Sequence, residues 1–328
     1  MRSCRVYKYG PRPHTAFSLP QSSADKKQQI DNTSSIERSE FRLHSEWHWV
    51  TMSANNNNIK NGEKQQLVCV TGAGGFIGSW VVKELLLRGY RDLVPVAVEG
   101  TRNVMNAAAD MGVRRVVFTS SYGAVHMNPN RSPDAVLDET CWSDYEFCKQ
   151  TDNLYCCAKM MAEITATEEA ARRGLELAVV VPSMTMGPML QQTLNFSSNH
   201  VARYLMGTKK TFPNAVAAYV DVRDVARAHV LAYKRPDARG RYLCIGTVLH
   251  RAQLVQIVKD LFPQYPVTAK CEDDGKPMAK VYKFSNQRLK DLGLEFTPLR
   301  KSLYEAVICM QHKGHLPLPV PVPKRAYL

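Results

Sequence analysis

Leu67-Val68-Cys69-Val70-Thr71-Gly72-Ala73-Gly74-Gly75-Phe76-Ile77-Gly78 is a short apolar run that breaks into glycines and then resumes at helical spacing. The run from Gln66 to Val70 reads as a buried strand. Beyond the glycines, Phe76, Ile77, Trp80, Val81 and Leu85 recur at helical intervals as far as Gly89. In a turn between strand and helix, Gly72, Gly75 and Gly78 let the backbone bend tightly, approach a pyrophosphate and pack the helix on its strand. The helix N-terminus adds N–H groups and a positive dipole. Gly72, Gly75, Phe76, Ile77 and Gly78 are therefore candidate cofactor-binding residues for a dinucleotide.

Outward from this turn, strand and helix keep alternating. Val94 to Met111 sets Ala97, Val98, Val104 and Ala108 on one side of a helix that Gly112 ends. Arg114 to Thr119 (RRVVFT) and Leu177 to Val181 (LAVVV) are continuous apolar runs, the pattern of strands buried on both faces of a parallel sheet. Asp152 to Arg173 and Val220 to Tyr233 read as helices, the second capped by Asp221, and a last helix is expected near Leu303 to His312. The alternation predicts an α/β fold with a doubly wound parallel sheet.

The net charge of +13 is spread along 328 residues rather than gathered into one basic block. It argues for an anionic small molecule and against nucleic acid as partner. No stretch approaches the roughly 18 uninterrupted apolar residues of a membrane span. Nine cysteines, an odd number, point to reduced thiols in the cytoplasm. Neither a pair of CxxC motifs nor HExxH occurs, and His312 and His315 fall at a Pro-rich tail, so no metal is expected. Residues 1–65 are polar, include the run Asn55 to Asn58 and lack hydrophobic periodicity, so a disordered leader is expected there.

Tyr155-Cys156-Cys157-Ala158-Lys159 places a phenol and an ammonium one helical turn apart on the same side of a helix. An ammonium favours a neighbouring phenolate, so Tyr155 can surrender its proton to a carbonyl oxygen, as a general acid does. Lys159 can also reach a cofactor ribose. Ser121, at the end of the RRVVFTSS strand, can donate a hydrogen bond to the same oxygen as negative charge develops. Ser121, Tyr155 and Lys159 are the candidate catalytic residues of a nicotinamide-dependent carbonyl reductase.

From Gln66 onward the chain resembles the extended short-chain dehydrogenase/reductase superfamily, and within it the plant cinnamoyl-CoA reductases. VCVTGAGGFIGSW, RRVVFTSSYGAV, DETCWSDYEFCK, AYVDVRDVARAH, GRYLC and SNQRLKDLGLEF carry the likeness. The resemblance implies NADPH-dependent reduction of a hydroxycinnamoyl-CoA thioester to its aldehyde, an early step of monolignol synthesis in phenylpropanoid metabolism. It also implies that Ser121, Tyr155 and Lys159 form the catalytic triad, that Pro182 and Ser183 flank the nicotinamide, and that His200, Arg203 and Arg251 meet CoA phosphates as cations. The family signature NWYCYGK reads here Asn153-Leu154-Tyr155-Cys156-Cys157-Ala158-Lys159, and Arg203 stands where the family has Lys. Cys148 and Cys156 are candidates for a redox pair or for two free thiols.

Between Gly89 and Val94 no strand is evident, although consecutive parallel strands each need a crossover. The resemblance implies a second strand, two helices and two further strands at this point, roughly 60 residues that are missing. With them goes the position that distinguishes NADPH from NADH. The expected organisation is a leader at 1–65, a Rossmann-type dinucleotide-binding domain at 66–182, a smaller C-terminal substrate-binding region at 183–315 and a tail at 316–328. Competing functions are an aldehyde or ketone reductase of the dihydroflavonol 4-reductase type and a truncated, catalytically impaired form that acts as a non-catalytic partner.

Overall fold

In the computed structural model the described residues are 49–54, 67–71, 90–132, 134–272 and 275–318. The glycine turn from Gly72 to Gly78, the helix expected behind it, most of the leader and the end of the tail lie outside them. Three short strands come first: β1 Trp49–Ala54, β2 Leu67–Thr71 and β3 Tyr90–Asp92. The strand expected at Leu67 is present, but its partner is β1, antiparallel, with Trp49 opposite Thr71 and Ser53 opposite Leu67. This corrects two expectations. Part of the leader is a strand, and a strand does separate Gly89 from Val94, since β3 pairs with the far edge of β1. An apolar strand needs hydrogen-bonded neighbours, and WVTMSA supplies one to each of the other two.

Helix α1, Val94–Asp110, starts with Pro95 in its first turn and is stopped by Gly112 in the left-handed region at φ 71°. Its inward residue is Met105, packed on Ala166 and Ala170, whereas Val104 is 66% exposed. Burying Met105 is worth about 2 kcal/mol. Strand β4, Arg115–Thr119, leads through a 3-10 turn at Tyr122–Ala124 to the short helix α2, Tyr145–Gln150, and the long helix α3, Leu154–Arg173. Gly174, left-handed at φ 70°, ends α3 after Arg172 and Arg173, whose charge suits the helix C-terminus.

The chain then returns as β5, Glu176–Pro182, parallel to β4 with Arg115 opposite Glu176 and Thr119 opposite Val180. Later come β6 Met184–Met186, α4 Phe196–Leu205, β7 Val216–Asp221, α5 Val222–Lys234, β8 Gly240–Cys244, β9 Thr247–His250 and α6 Arg251–Leu261. Helices α7, Gln287–Asp291, and α8, Leu299–His312, close the described chain. Val220 and Asp221 end a strand rather than open a helix, but Asp221 caps α5 as expected, accepting from the Arg223 N–H.

The larger parallel sheet runs β8-β5-β4, and a second, mixed sheet runs β9-β7-β6. Val180 and Ala178 of the parallel sheet pack under Ala228 and Ala232 of α5, while Val179, Val181 and Leu243 face Tyr122 and Val125 on the other side. The largest core cluster joins Met186, Tyr219, Leu254, Leu303 and Met310 in the C-terminal part. Among the described residues no strand pairs with the outer edge of β4, and no helix is long and apolar enough to cross a membrane.

Candidate active site

The C-terminal ends of parallel strands are where open α/β sheets hold ligands. Ser121 follows the end of β4 in an extended conformation, caps the 3-10 turn, and accepts a 3.1 Å hydrogen bond from Gly123 N on Oγ. Tyr155 and Lys159 occupy successive turns of α3. A Cβ on Gly123 would lie 3.5 Å from both Ser121 Oγ and Tyr155 Cε1 and 3.1 Å from Cys156 Sγ. The serine and the tyrosine therefore border the same small space, kept open by the missing side chain of Gly123. Lys159 Nζ donates to the Thr119 carbonyl at 2.9 Å and stands 5.7 Å from the Phe118 ring centroid. Burial lowers its pKa below the ordinary lysine value, and Glu163 one turn on acts in the opposite direction. The Tyr155 side chain is open to solvent at 58% exposure.

Pro182 ends β5, and Ser183 bonds through its N–H to Cys244 O at 3.2 Å. The Ser183 hydroxyl is buried without a hydrogen-bond partner. An orphaned hydroxyl just past the end of β5, the strand paired with the β4 that leads to Ser121, fits a polar carboxamide such as that of a nicotinamide. Among the described residues no group of three or more His, Cys, Asp or Glu side chains is arranged to hold a metal. Cys148 and Cys156 are both free thiols, buried together with Cys157, and burial raises all three pKa values, Cys148 to about 12.

His200 and Arg203 lie on α4, and Arg251 opens α6. His200 and Arg251 meet: Arg251 Nη1 is 2.5 Å from His200 Nε2 and also donates to Tyr219 Oη. Burial, with Arg251, Lys209 and Arg203 nearby, lowers the His200 pKa to about 4. His200 is thus neutral near pH 7, and its Nε2 accepts from the guanidinium, so it orients Arg251 instead of adding the positive charge expected of it. Arg203 projects into solvent from the last turn of α4.

Several contributors had escaped the sequence reading. Lys209 adds to the positive field at His200, and Tyr219 holds Arg251. His229 on α5 binds the Thr119 hydroxyl at 2.7 Å through Nε2 while Nδ1 donates to Val225 O at 2.8 Å. A cavity of about 540 Å³, lined by Met186, Met189, Phe196 and Val222 among others, opens just beyond Ser183 along the chain.

A parallel sheet whose strand end gathers a serine, a tyrosine and a lysine one turn apart defines the class, a nicotinamide-dependent oxidoreductase of the short-chain dehydrogenase/reductase kind. Residues 91–246 match the NAD dependent epimerase/dehydratase family. Cinnamoyl-CoA reductase 1 of rice (Oryza sativa subsp. japonica) is 73% identical, over 84% of this chain and 98% of its own length. The chain belongs to the cinnamoyl-CoA reductase family. Vestitone reductase from alfalfa shares the fold at a TM-score of 0.60 with 23% identity, over 75% of this chain and 98% of its own. Gre2 from Candida albicans, solved in complex with NADPH, is 26% identical with a TM-score of 0.57, over 67% of this chain and 71% of its own. The alignment with the rice relative spans 335 positions yet draws on 84% of the 328 residues, about 275, so about 60 positions have no residue here.

Proposed function

We propose that this chain reduces hydroxycinnamoyl-CoA thioesters to hydroxycinnamaldehydes with NADPH, with Tyr155 as general acid. The observation that carries the reading is the approach of Ser121 and Tyr155 to the same small space at Gly123, with Lys159 on the next turn fixed to the Thr119 carbonyl. Bound NADPH supplies the hydride. Tyr155, Lys159, Pro182 and Ser183 would hold it, together with Gly72, Gly75, Phe76, Ile77 and Gly78 of the turn.

Ser121 Oγ accepts from Gly123 N, which leaves its O–H free to donate to the thioester oxygen. Tyr155 gives its proton to that oxygen as charge develops, and the Lys159 ammonium stabilises the phenolate left behind. The resulting adduct carries a hydroxyl and the CoA sulfur on one carbon. Return of the hydroxyl proton to Tyr155 re-forms the carbonyl and breaks the C–S bond. The thiolate takes a proton from water and the aldehyde departs. Arg203 and Arg251 supply positive charge for the CoA phosphates, with His200 setting the direction of Arg251. The free thiols of Cys148, Cys156 and Cys157 support a reducing compartment, the cytoplasm.

The test is NADPH oxidation by the purified chain with feruloyl-CoA, and the same assay on Tyr155→Phe. The proposal requires turnover that falls at least 100-fold in the variant. Equal loss on CoA esters and free aldehydes in Arg251→Ala would favour the aldehyde or ketone reductase instead.

A second reading has its own observation. A 58% exposed Tyr155 is poorly shielded from water for proton transfer, and about 60 positions of the rice relative are missing. We place those positions after Tyr90, where β3 is three residues long and the family match begins at Arg91. On this reading the chain is a non-catalytic partner of a complete relative. Absence of NADPH binding by fluorescence, with co-purification of that relative, would favour it.

A further inference from the structure

We propose that Glu163 is a positioning residue, which ties the Ser121 turn to the helix that carries Tyr155 and Lys159 and sets a buried carboxylate one helical turn from the Lys159 ammonium. Its catalytic consequence rests on the function proposed above; its structural part does not. Glu163 is completely buried at mid-helix on α3, one turn beyond Lys159 and two beyond Tyr155. An unpaired carboxylate there would cost several kcal/mol, so its partners explain how it is tolerated.

Those partners lie on two other parts of the fold. Glu163 Oε2 accepts from Ser120 Oγ at 2.5 Å, and Ser120 is the residue before Ser121. Glu163 Oε1 accepts from Arg241 Nε of β8 at 2.5 Å. Arg241 in turn donates to Glu139 O at 2.8 Å and Cys141 O at 2.7 Å, and its guanidinium lies 3.8 Å from the Trp142 ring centroid. One carboxylate thus joins the end of β4, the helix bearing Tyr155 and Lys159, and the strand next to β5. A well-packed apolar residue would fill the space but could not fix the Ser120–Ser121 backbone to the same helix that aims Tyr155.

The electrostatic role follows from the groups around Lys159. On α3 these are Tyr155 and Glu163; from β4 come the Thr119 carbonyl and the Phe118 ring. From α5 comes His229, through the Thr119 hydroxyl, and from β8 Arg241, which meets Glu163. Burial works against the ammonium, and Glu163 is the carboxylate that opposes it. Glu163→Gln removes that negative charge and leaves the Arg241 cation uncompensated. Both changes push Lys159 toward the neutral amine.

The titration of Lys159 is read directly by ¹³C NMR of the reductively methylated full chain, its signal assigned by loss in Lys159→Arg. In Glu163→Gln the midpoint falls by about 0.5–1 pH unit, while Glu168→Gln, at an exposed place on the same helix, leaves it unchanged. If circular dichroism shows Glu163→Gln unfolded, Glu163→Met is measured; it fills the space without the charge, and the midpoint again falls. An unchanged midpoint in whichever variant folds overturns the proposal. Where the wild type turns over cinnamoyl-CoA esters, the alkaline limb of kcat also moves to lower pH in the variant, and Glu163→Asp recovers part of the loss. A wild type without turnover sinks the functional reading alone, since the NMR midpoint needs none.

Discussion

Lys159 Nζ is hydrogen bonded to the Thr119 carbonyl at 2.9 Å, so the helix carrying Tyr155 is pinned to the last residue of β4. The lysine holds its charge in a partly buried place that disfavours it. Lys159→Met therefore separates activity from stability. Thermal unfolding near pH 7 stays within about 2 °C of wild type, because the lost hydrogen bond is offset by removal of a disfavoured charge. The reductase rate falls by about 10²–10³, since the phenolate of Tyr155 loses its cation.

Gly123 and Cys156 predict a paired effect. Gly123→Ala puts a methyl 3.1 Å from Cys156 Sγ and 3.5 Å from Ser121 Oγ and Tyr155 Cε1. The expected cost is about 1–3 kcal/mol in urea unfolding, with kcat falling by a larger factor than KM changes as Tyr155 is displaced. Cys156→Ala in the same chain removes the closest contact and recovers most of the stability. Additive losses in the double variant would show that the crowding lies elsewhere.

Much of this site was legible because its parts are local. The YxxxK spacing on α3 and Ser121 at the end of RRVVFTSS are set by helical period and strand end, and the structure brings them to one place. Glu163 left a faint signal: it shares a buried helix stripe with Cys156, Met160, Ala166 and Ala170, where the period calls for an apolar residue. The bond from His229 to Thr119 and the hold of Tyr219 on Arg251 span 110 and 32 residues and leave no local trace. The partner of β2 is not legible for the same reason. An apolar strand announces itself by composition, but nothing in LVCVT says whether it joins WVTMSA or β4.

Arg115 is the structural counterpart of Lys159 at the other end of β4. Its side chain is 2% exposed and donates from Nε to Glu176 Oε2 at 2.8 Å. It also caps the C-terminus of α5 through Ala232 O at 3.1 Å, Tyr233 O at 3.2 Å and Pro236 O at 3.0 Å. Arg115→Met strands these carbonyls, while Glu176 keeps Arg239 at 2.9 Å and Arg114 at 3.7 Å, and urea unfolding is expected to register a loss of about 2–4 kcal/mol. Arg114→Met, at an exposed neighbour, costs less than about 1 kcal/mol.

His200 makes stability depend on acidity in a defined direction. Burial beside Arg251 lowers its pKa to about 4 from an ordinary value of 6.5. Between these limits the unfolded chain takes up a proton that the folded chain refuses, so stability falls as pH drops from 6.5 toward 4 and is flat in this respect above 6.5. The full shift would be worth about 3 kcal/mol, reduced to about 1–2 because His200 is partly exposed. Gln in its place keeps an acceptor for Arg251 but does not titrate. Wild type should therefore lose about 1–2 kcal/mol more than His200→Gln between pH 7 and 4.5, measured by urea unfolding at each pH. Equal losses would mean that His200 is protonated in the folded chain, and that Arg251 is oriented by Tyr219 alone.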